Sequence, residues 1–343
     1  MKPGIDAMHR APQSKLLLPP RLQNREQGER RVGVELEFAA ISARAGAQHV
    51  QAVYGGQIEQ EDPHRFHIRG SALGDFVCEL DNQYVHRPLG EDGEAKGVGA
   101  FEQFLHRFRD DMREFFGDVG SLFIPCEIVC PPIPVTELRS LESLVQRLCQ
   151  AGASGTRSNP IFSFGAHLNP EIADGDDSWV IAVFKAELLL SAWLRAVMSI
   201  DFTRRLFAFA EPFPRDYVVE VVDPDYWPDL ERFTTDYLIA SPDRNRELDL
   251  LPLFAWLDPH KVQRYVDDPL VKPRPTFHYR LPDANIDQPD WGLVLEWNRW
   301  CLVERLAEQR ELLNRMGAAF LANQQRMIPE NWALRASEWL LIG

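Results

Sequence analysis

Short runs in which apolar and polar residues alternate recur along the chain and predict β-strands. In the first run, residues 31–38, apolar Val, Leu and Phe side chains stand at every second position, with Glu35 and Glu37 between them. Successive side chains of a strand point to opposite faces, so this period of two predicts a strand with one buried and one polar face. Similar patterns predict further strands at residues 64–69, 74–81, 122–130, 161–169 and 276–281.

Apolar residues at helical spacing predict helices in most of the intervening segments. The longest such stretch runs from Ser178 to about Ala210 and is apolar on nearly all sides, which is typical of a helix buried in the middle of a large domain. Thr136 stands where its side chain could cap the helix that follows it. The remaining predicted helices cover residues 100–116, about 137–150, 291–316 and about 330–341.

The order of these elements predicts the fold class and the domain organisation. Strands and helices do not alternate regularly, which favours an α+β fold with a mainly antiparallel sheet and helices packed on one face. Residues 1–30 show no sustained periodicity and are predicted to form an extended N-terminal arm. Residues 31–343 are predicted to form one domain, in which the Pro- and Asp-rich stretch at about 211–275 is an elaborated insertion.

Composition and charge narrow the functional classes. The 343 residues include 37 basic and 51 acidic side chains, and the formal net charge of −14 disfavours binding to nucleic acid or to anionic lipid. No stretch approaches the roughly 18 uninterrupted apolar residues of a membrane span. The five cysteines are odd in number and widely spread, and the beginning of the chain lacks the apolar core of a signal peptide, so we expect reduced thiols and a cytoplasmic location. The sequence contains no coiled-coil heptad repeat from which an oligomeric state could be predicted.

Polar residues two apart on the predicted strands are the candidate chemistry of this chain. Such residues lie side by side on one face, so a shared sheet would carry carboxylates, imidazoles and guanidiniums together on its polar face. One pair on one strand is more often a solvated face, but the same pattern on several strands favours an active surface. The residues are Glu35 and Glu37, Arg65, His67 and Arg69, Glu79 and Asp81, His167 and Asn169, His278 and Arg280, with Glu127 from a further strand.

Converging carboxylates predict a metal ion. Several carboxylates on one surface repel one another unless a cation neutralises them, and oxygen ligands with an imidazole suit Mg²⁺ or Mn²⁺. Arginines on the same surface are what a transferring phosphoryl group needs alongside its metals. Metal ligands together with arginines suggest ATP. The chain has neither a Gly-x-x-x-x-Gly-Lys-Ser/Thr loop nor a Gly-x-Gly-x-x-Gly turn, so any nucleotide must be held in another way.

Five short motifs follow one another along the chain. They are the Glu-x-Glu strand at 31–38, the acidic strand end at 76–81, Glu-Ile-Val-Cys-Pro-Pro at 127–132, Gly-x-His-x-Asn at 165–169 and Thr-x-His-x-Arg at 276–280. In this order they resemble the motifs of the amidoligase family, the carboxylate–amine ligases that share the catalytic fold of glutamine synthetase and glutamate–cysteine ligase. The resemblance spans about residues 31–315. It implies a funnel formed by a curved, mainly antiparallel sheet with helices on its outer face.

The resemblance also implies an activity and roles for the motif residues. The implied reaction is ATP-dependent formation of an amide or isopeptide bond, through an acyl phosphate, between a small-molecule or peptide carboxylate and an amine. The implied catalytic residues are Arg280, Glu79 and Asp81. The implied ATP-binding residues are Arg65, Arg69, His167, Asn169 and Arg280. The implied ligands for Mg²⁺ or Mn²⁺ are Glu35, Glu37, Glu79, Asp81, Glu127, His167 and His278.

Two positions depart from the family pattern. Cys130 replaces a Ser, and His278 stands where the family usually has a Glu metal ligand. The same carboxylates would also serve a metal-dependent phosphohydrolase or phosphotransferase. The departure at His278 keeps a further alternative open, a non-catalytic ATP-binding member of the fold.

Overall fold

A computed structural model of the protein describes residues 14–80, 125–158, 164–175, 177–200 and 210–342. Its centre is a nine-stranded sheet in which every ladder between the described strands is antiparallel. The strands are β1 (Arg31–Phe38), β2 (Gln57–Asp62), β3 (Arg65–Ser71), β4 (Gly74–Leu80), β5 (Cys126–Val129), β6 (Ile133–Pro134), β7 (Ala166–Pro170), β8 (Leu248–Asp249) and β9 (His278–Tyr279). Their order across the sheet is β2-β3-β4-β5-β1-β7-β9-β8, and β6 pairs with the start of β1. The predicted α+β class with a mainly antiparallel sheet is confirmed.

The described part of the chain also contains ten α-helices. They are α1 (Ala43–Tyr54), α2 (Glu142–Gln150), α3 (Ser178–Met198), α4 (Arg215–Val222), α5 (Leu230–Ala240), α6 (Leu251–Leu257), α7 (Pro259–Gln263), α8 (Leu293–Ala307), α9 (Arg310–Gln324) and α10 (Trp332–Ile342). Short 3₁₀ segments cover Val135–Leu141 and Thr156–Ser158.

The alternating pattern of β1 builds the core. Its even-numbered side chains, from Val32 to Phe38, are almost fully buried, while Glu35 and Glu37 point to the other face. Helix α1 packs on the apolar face, across β3, β4 and β5. At Gly46 an added Cβ would already touch Ile128, Phe38 and Cys78 at 3.7–3.9 Å, so the helix backbone lies close to the sheet. The core therefore occupies one face of the sheet and leaves the other free for chemistry.

Helix α3 is the predicted central helix. Its side chains from Trp179 to Leu190 are all buried, and it packs against α8, α9 and α10. It ends at Met198, where Ser199 adopts a left-handed conformation. The predicted continuation to about residue 210 falls on residues 201–209, which lie outside the described part of the chain.

Several predicted boundaries need correction. The segment predicted as a helix from 137 begins as the 3₁₀ segment and becomes α-helical at Glu142, and the Thr136 hydroxyl does not cap it but donates to Glu29 at 2.9 Å. The predicted helix over 291–316 is two helices, which divide at Glu308–Gln309. Only two residues of the predicted strand at 276–281 join the ladder. The predicted helix at 100–116 and the beginning of the strand at 122–130 lie outside the described residues.

The described part of the N-terminal segment is anchored to the helices. The Leu17 backbone N–H donates to Asn298, and its carbonyl accepts from the Trp297 indole. Arg30 is fully buried and makes two hydrogen bonds with the Glu304 carboxylate, at 2.7 and 2.6 Å. The described residues of this segment therefore contribute a buried ion pair to the fold.

The stretch over 211–275 contains helices α4 to α7 and strand β8, which adds the last strand of the sheet beside β9. This stretch therefore reaches the polar face. All five cysteines are free thiols. Within the described ranges, no helix combines the length and the apolar character that crossing a bilayer requires.

Candidate active site

Two rows of directly opposed residues cross the polar face of the sheet. The register places Glu127 on β5 between Glu79 on β4 and Glu37 on β1, and Arg65 on β3 lies opposite Glu79. Directly opposed residues on one face have Cβ atoms about 4.5–5.5 Å apart, so these carboxylates are neighbours in space. The second row consists of His67, Val77, Val129, Glu35 and His167. The expected convergence of polar side chains from several strands is present.

Glu35 lies at the centre of the polar face. Its carboxylate accepts from Asn169 Nδ2 at 3.0 Å and lies 3.2 Å from His167 Nδ1. His278 Nε2 lies 3.6 Å and Arg274 Nη1 lies 3.5 Å from the same carboxylate. Burial alone would raise the pKa of Glu35, but the contacts with His167 and His278 outweigh it and hold that pKa well below its usual range. Glu35 is therefore an ionised carboxylate in a largely enclosed position.

The pKa values of the two histidines shift in opposite directions. Burial, opposed by the contact with Glu35, lowers the pKa of His167 to about 3, so this imidazole is neutral at ordinary pH. Burial would also lower the pKa of His278, but the carboxylates of Asp249 and Glu35 outweigh burial and raise it. The two rings meet edge to face with centroids 5.4 Å apart.

These residues fit a divalent cation. One ligand atom each from Glu35, His167 and His278 can be chosen so that all lie within 4.8 Å of one another. His278 Nε2 is buried and has no hydrogen-bond partner among the described residues. A carboxylate with two imidazoles is an accepted ligand set for divalent metals, and the nitrogen without a partner is a ligand atom that is free to bind one.

The outer carboxylates are held by different contacts. The Glu37 carboxylate accepts the Gly165 backbone N–H at 2.6 Å and lies 3.6 Å from His167 Nε2. Glu79 lies 3.0 Å from Arg65 Nε, and burial, only partly offset by that arginine, raises the pKa of Glu79. These carboxylates are therefore fixed by neighbouring donors and cations.

A cavity of about 220 Å³ opens over this face. An adjoining cavity of about 520 Å³ shares Glu35, Asn169 and Arg274 with it. The charged and amide residues that line the first cavity are Glu35, Arg65, Glu79, Glu127, His167, Asn169, Arg244, Lys272, Arg274, His278 and Arg280. Anions and cations thus face the same space, which suits a bound group that carries both a metal ion and phosphates.

Most of the predicted site residues that the structure describes lie together, and Arg69 does not. The structure places Glu35, Arg65, Glu79, Glu127, His167, Asn169, His278 and Arg280 on the first cavity, with Glu37 beside His167. Arg69 does not line it, because its guanidinium is paired with Asp75 at 2.9 Å and with Glu59 at 3.5 Å. Asp81 lies outside the described residues.

The sequence patterns did not identify the contribution of the 211–275 insertion. Arg244, Lys272 and Arg274 reach the cavity from this stretch, and Asp249 contacts His278 from the two-residue strand β8. Lys272 and Arg274 continue the alternation of residues 276–281 toward the N-terminus, whereas Arg244 and Asp249 stand outside the runs that predicted strands. The Lys-Pro-Arg-Pro sequence at 272–275 is the one local signal, since it holds two cations in an extended segment just before β9.

Comparison with known proteins gives one positive finding. The model of the family described as "Putative amidoligase enzyme" matches residues 28–302. The matched span includes all nine strands of the sheet. No curated protein and no solved structure matches the chain.

Proposed function

Because the chain belongs to the amidoligase family, we propose that it is an ATP-dependent carboxylate–amine ligase that forms an amide or isopeptide bond. The observation that carries this proposal is the register of the polar face, where carboxylates from β1, β4 and β5 share one cavity with arginines from β3 and from the residue that follows β9. We also propose that this sheet is the funnel of the glutamine synthetase-like fold. A hydrolase could use the same carboxylates, but the family membership favours a ligase.

The charge distribution supports a triphosphate with a metal ion. Glu35, Glu79 and Glu127 would repel a bare triphosphate, so the acidic side of the cavity calls for a cation between protein and phosphate. Mg²⁺ or Mn²⁺, when bound, supplies that positive charge. The ion would be held by Glu35 and its neighbours His167 and His278, with Glu37, Glu79 and Glu127 available as further ligands.

Arg280 is the residue proposed to act on the moving phosphoryl group. It is only 2% exposed, and its Nε has no hydrogen-bond partner among the described residues. A buried guanidinium with a free N–H offsets negative charge far more effectively than one in water. Arg65, which is partly exposed at the cavity rim beside Glu79, is proposed to hold phosphate oxygens.

The proposed reaction has two steps that balance. A substrate carboxylate oxygen attacks the γ-phosphorus of ATP, and ADP leaves, which gives an acyl phosphate. The amine nitrogen then attacks the acyl carbon, phosphate leaves and the amine loses a proton. The adjoining cavity of about 520 Å³ offers space for a small-molecule or peptide substrate next to Glu35 and Arg274.

The test is to incubate the purified protein with ATP and Mg²⁺ or Mn²⁺ against a panel of amino acids and polyamines, and to measure ADP release. We expect release that depends on the amine, that is lost in Glu35→Ala, and that persists in Arg69→Ala, the matched variant outside the cavity. Phosphate release indifferent to every amine would instead identify a phosphohydrolase. ATP binding without turnover would identify a non-catalytic member of the fold.

A further inference from the structure

The candidate metal cluster on the polar face contains two imidazoles and one carboxylate. We propose that the cluster of Glu35, His167 and His278 selects a first-row transition ion over Mg²⁺, and that Asp249 is the residue that orients His278 for this task. The role of the ion in ligation rests on the proposed function. The identity of the ion does not, because it is measured by metal binding without ATP or amine.

The donor set carries the first half of the proposal. The cluster offers two nitrogen ligands and one carboxylate within 4.8 Å of one another. Mg²⁺ prefers oxygen ligands in near-ideal octahedral geometry and retains its waters, whereas imidazole suits Zn²⁺, Fe²⁺ and their neighbours. Two histidines with one carboxylate is the ligand set found in zinc hydrolases and in non-haem iron sites. With two imidazoles among its three ligands, this cluster therefore favours a transition ion over Mg²⁺.

The surroundings of His278 carry the second half. Its Nδ1 faces the Asp249 carboxylate at 3.6 Å, while its Nε2 faces Glu35 and has no hydrogen-bond partner among the described residues. Asp249 is 2% exposed, so its charge lies in a poorly solvated position behind the ring. Metal-binding histidines commonly donate their second N–H to such a carboxylate, which fixes the tautomer and the ring orientation. Here it would leave the Nε2 lone pair directed at the ion.

Asp249 is itself held in place. Its Oδ1 accepts the Leu251 backbone N–H at 2.8 Å, and β8 pairs with β9 so that Asp249 lies directly opposite His278. The insertion over 211–275 therefore supplies a second carboxylate behind the metal-facing ring. Asp249 does not touch the ion in this arrangement; it acts through His278.

The first experiment measures metal binding to the metal-free full chain, without ATP or amine. Titrations with Co²⁺ and Mg²⁺, followed by calorimetry and by the visible absorption of Co²⁺, should show one site that binds Co²⁺ at least tenfold more tightly than Mg²⁺. His278→Glu should reduce that preference at least tenfold by restoring a carboxylate. His67→Gln, a change at a histidine on the same face that contacts Glu61 instead, should leave it unchanged. Equal affinities for the two ions in the unmodified chain would overturn the proposal.

The second experiment isolates Asp249. Asp249→Asn keeps an oxygen for the Leu251 N–H but removes the acceptor facing His278, so Co²⁺ affinity should fall by about 10–100-fold, the usual effect of losing an outer-shell partner. In the His278→Glu background, Asp249→Asn should not lower Co²⁺ affinity, because no ring N–H remains to be oriented. The change also removes a carboxylate that would lie opposite the new glutamate. In the metal-free protein, at a pH high enough to keep the His278 ring neutral, ¹⁵N chemical shifts of His278 should show a tautomer change in Asp249→Asn.

The outcomes separate this proposal from the ligase proposal. A loss of Co²⁺ affinity of the same size in both backgrounds would mean that Asp249 serves the fold only, and would overturn its assignment as the orienting residue. Selective Co²⁺ binding without amine-dependent ADP release would leave the metal assignment standing and refute the ligase. Ligase activity with no preference for Co²⁺ over Mg²⁺ would leave the ligase proposal standing and refute the metal assignment.

Discussion

Replacement of Arg30 tests whether the N-terminal segment is part of the folded domain. Arg30 and Glu304 are both fully buried, and two hydrogen bonds of 2.7 and 2.6 Å join them. Arg30 Nε also donates to the Glu171 carbonyl at 2.5 Å. We expect Arg30→Met to destabilise the protein strongly, because it leaves the Glu304 carboxylate buried without its cation.

The magnitude follows from the burial. Breaking a fully buried ion pair by removing one partner costs about 3–5 kcal/mol, since the remaining charge is uncompensated. A typical domain has about 5–15 kcal/mol of unfolding free energy in total, so this is a large fraction. Removing both charges is far less costly, because a well-packed apolar pair has no charge to desolvate. The double variant Arg30→Met, Glu304→Leu should therefore be more stable than Arg30→Met alone.

Urea denaturation of the full chain measures these free energies. The matched control is Arg25→Met, because Arg25 lies in the same N-terminal segment as Arg30 but forms an exposed ion pair, with Asp177. Loss of this exposed pair should change the free energy of unfolding by less than about 1 kcal/mol. A loss below about 1 kcal/mol for Arg30→Met would refute the reasoning, since a buried pair should cost more than an exposed one. So would a double variant that is less stable than the single one.

Three further predictions concern the polar face. Arg65→Ala should weaken ATP binding, measured by calorimetry, whereas Arg69→Ala should not, because Arg65 lines the cavity and Arg69 does not. Equal losses of affinity in the two variants would contradict this placement. NMR of the metal-free protein should show a neutral His167 ring throughout pH 5–8, because burial lowers its pKa to about 3; a titration near pH 6.5 would refute this. Gly165→Ala should weaken Co²⁺ binding while circular dichroism remains native, because the new Cβ would clash with His167 Nε2; unchanged affinity would show that His167 can move aside without loss.

The strands that build the site were predictable because one pattern encodes both faces. The alternation that begins at Arg31 predicted β1, which ends at Phe38. Glu35 and Glu37 on β1, Glu79 on β4, and His167 and Asn169 on β7 lie on one face because their strands share a sheet. By contrast, β2 was not predicted. Its sequence Gln-Ile-Glu-Gln-Glu-Asp forms a mostly exposed edge strand, so no buried face imposes an alternation on it.

The site residues supplied by the 211–275 stretch were not predicted, for a reason other than a missing buried face. Arg274 and Asp249 reach the site because the chain over 211–275 returns to the sheet beside β9, and this path depends on tertiary packing of α4 to α7. Helix α1 was also missed, since its buried positions are the small residues Ala43, Gly46 and Ala47 together with Val50, which give a weak helical signal. Local pattern thus identified the strands, and only the fold could identify what packs over them.

The shared register of β1, β4 and β5 limits the insertions and deletions that these strands can accept during evolution. Inserting or deleting one residue within any of these strands would exchange its two faces and carry Glu35, Glu79 or Glu127 into the core. Such length changes would disrupt the polar face and the hydrophobic interior together, so we expect these strands to vary by substitution and not in length. The 211–275 stretch is not under that restriction, because it contributes side chains mainly from its loops. New substrate preferences are therefore expected to arise by gain and loss of residues there, over a sheet whose length stays constant.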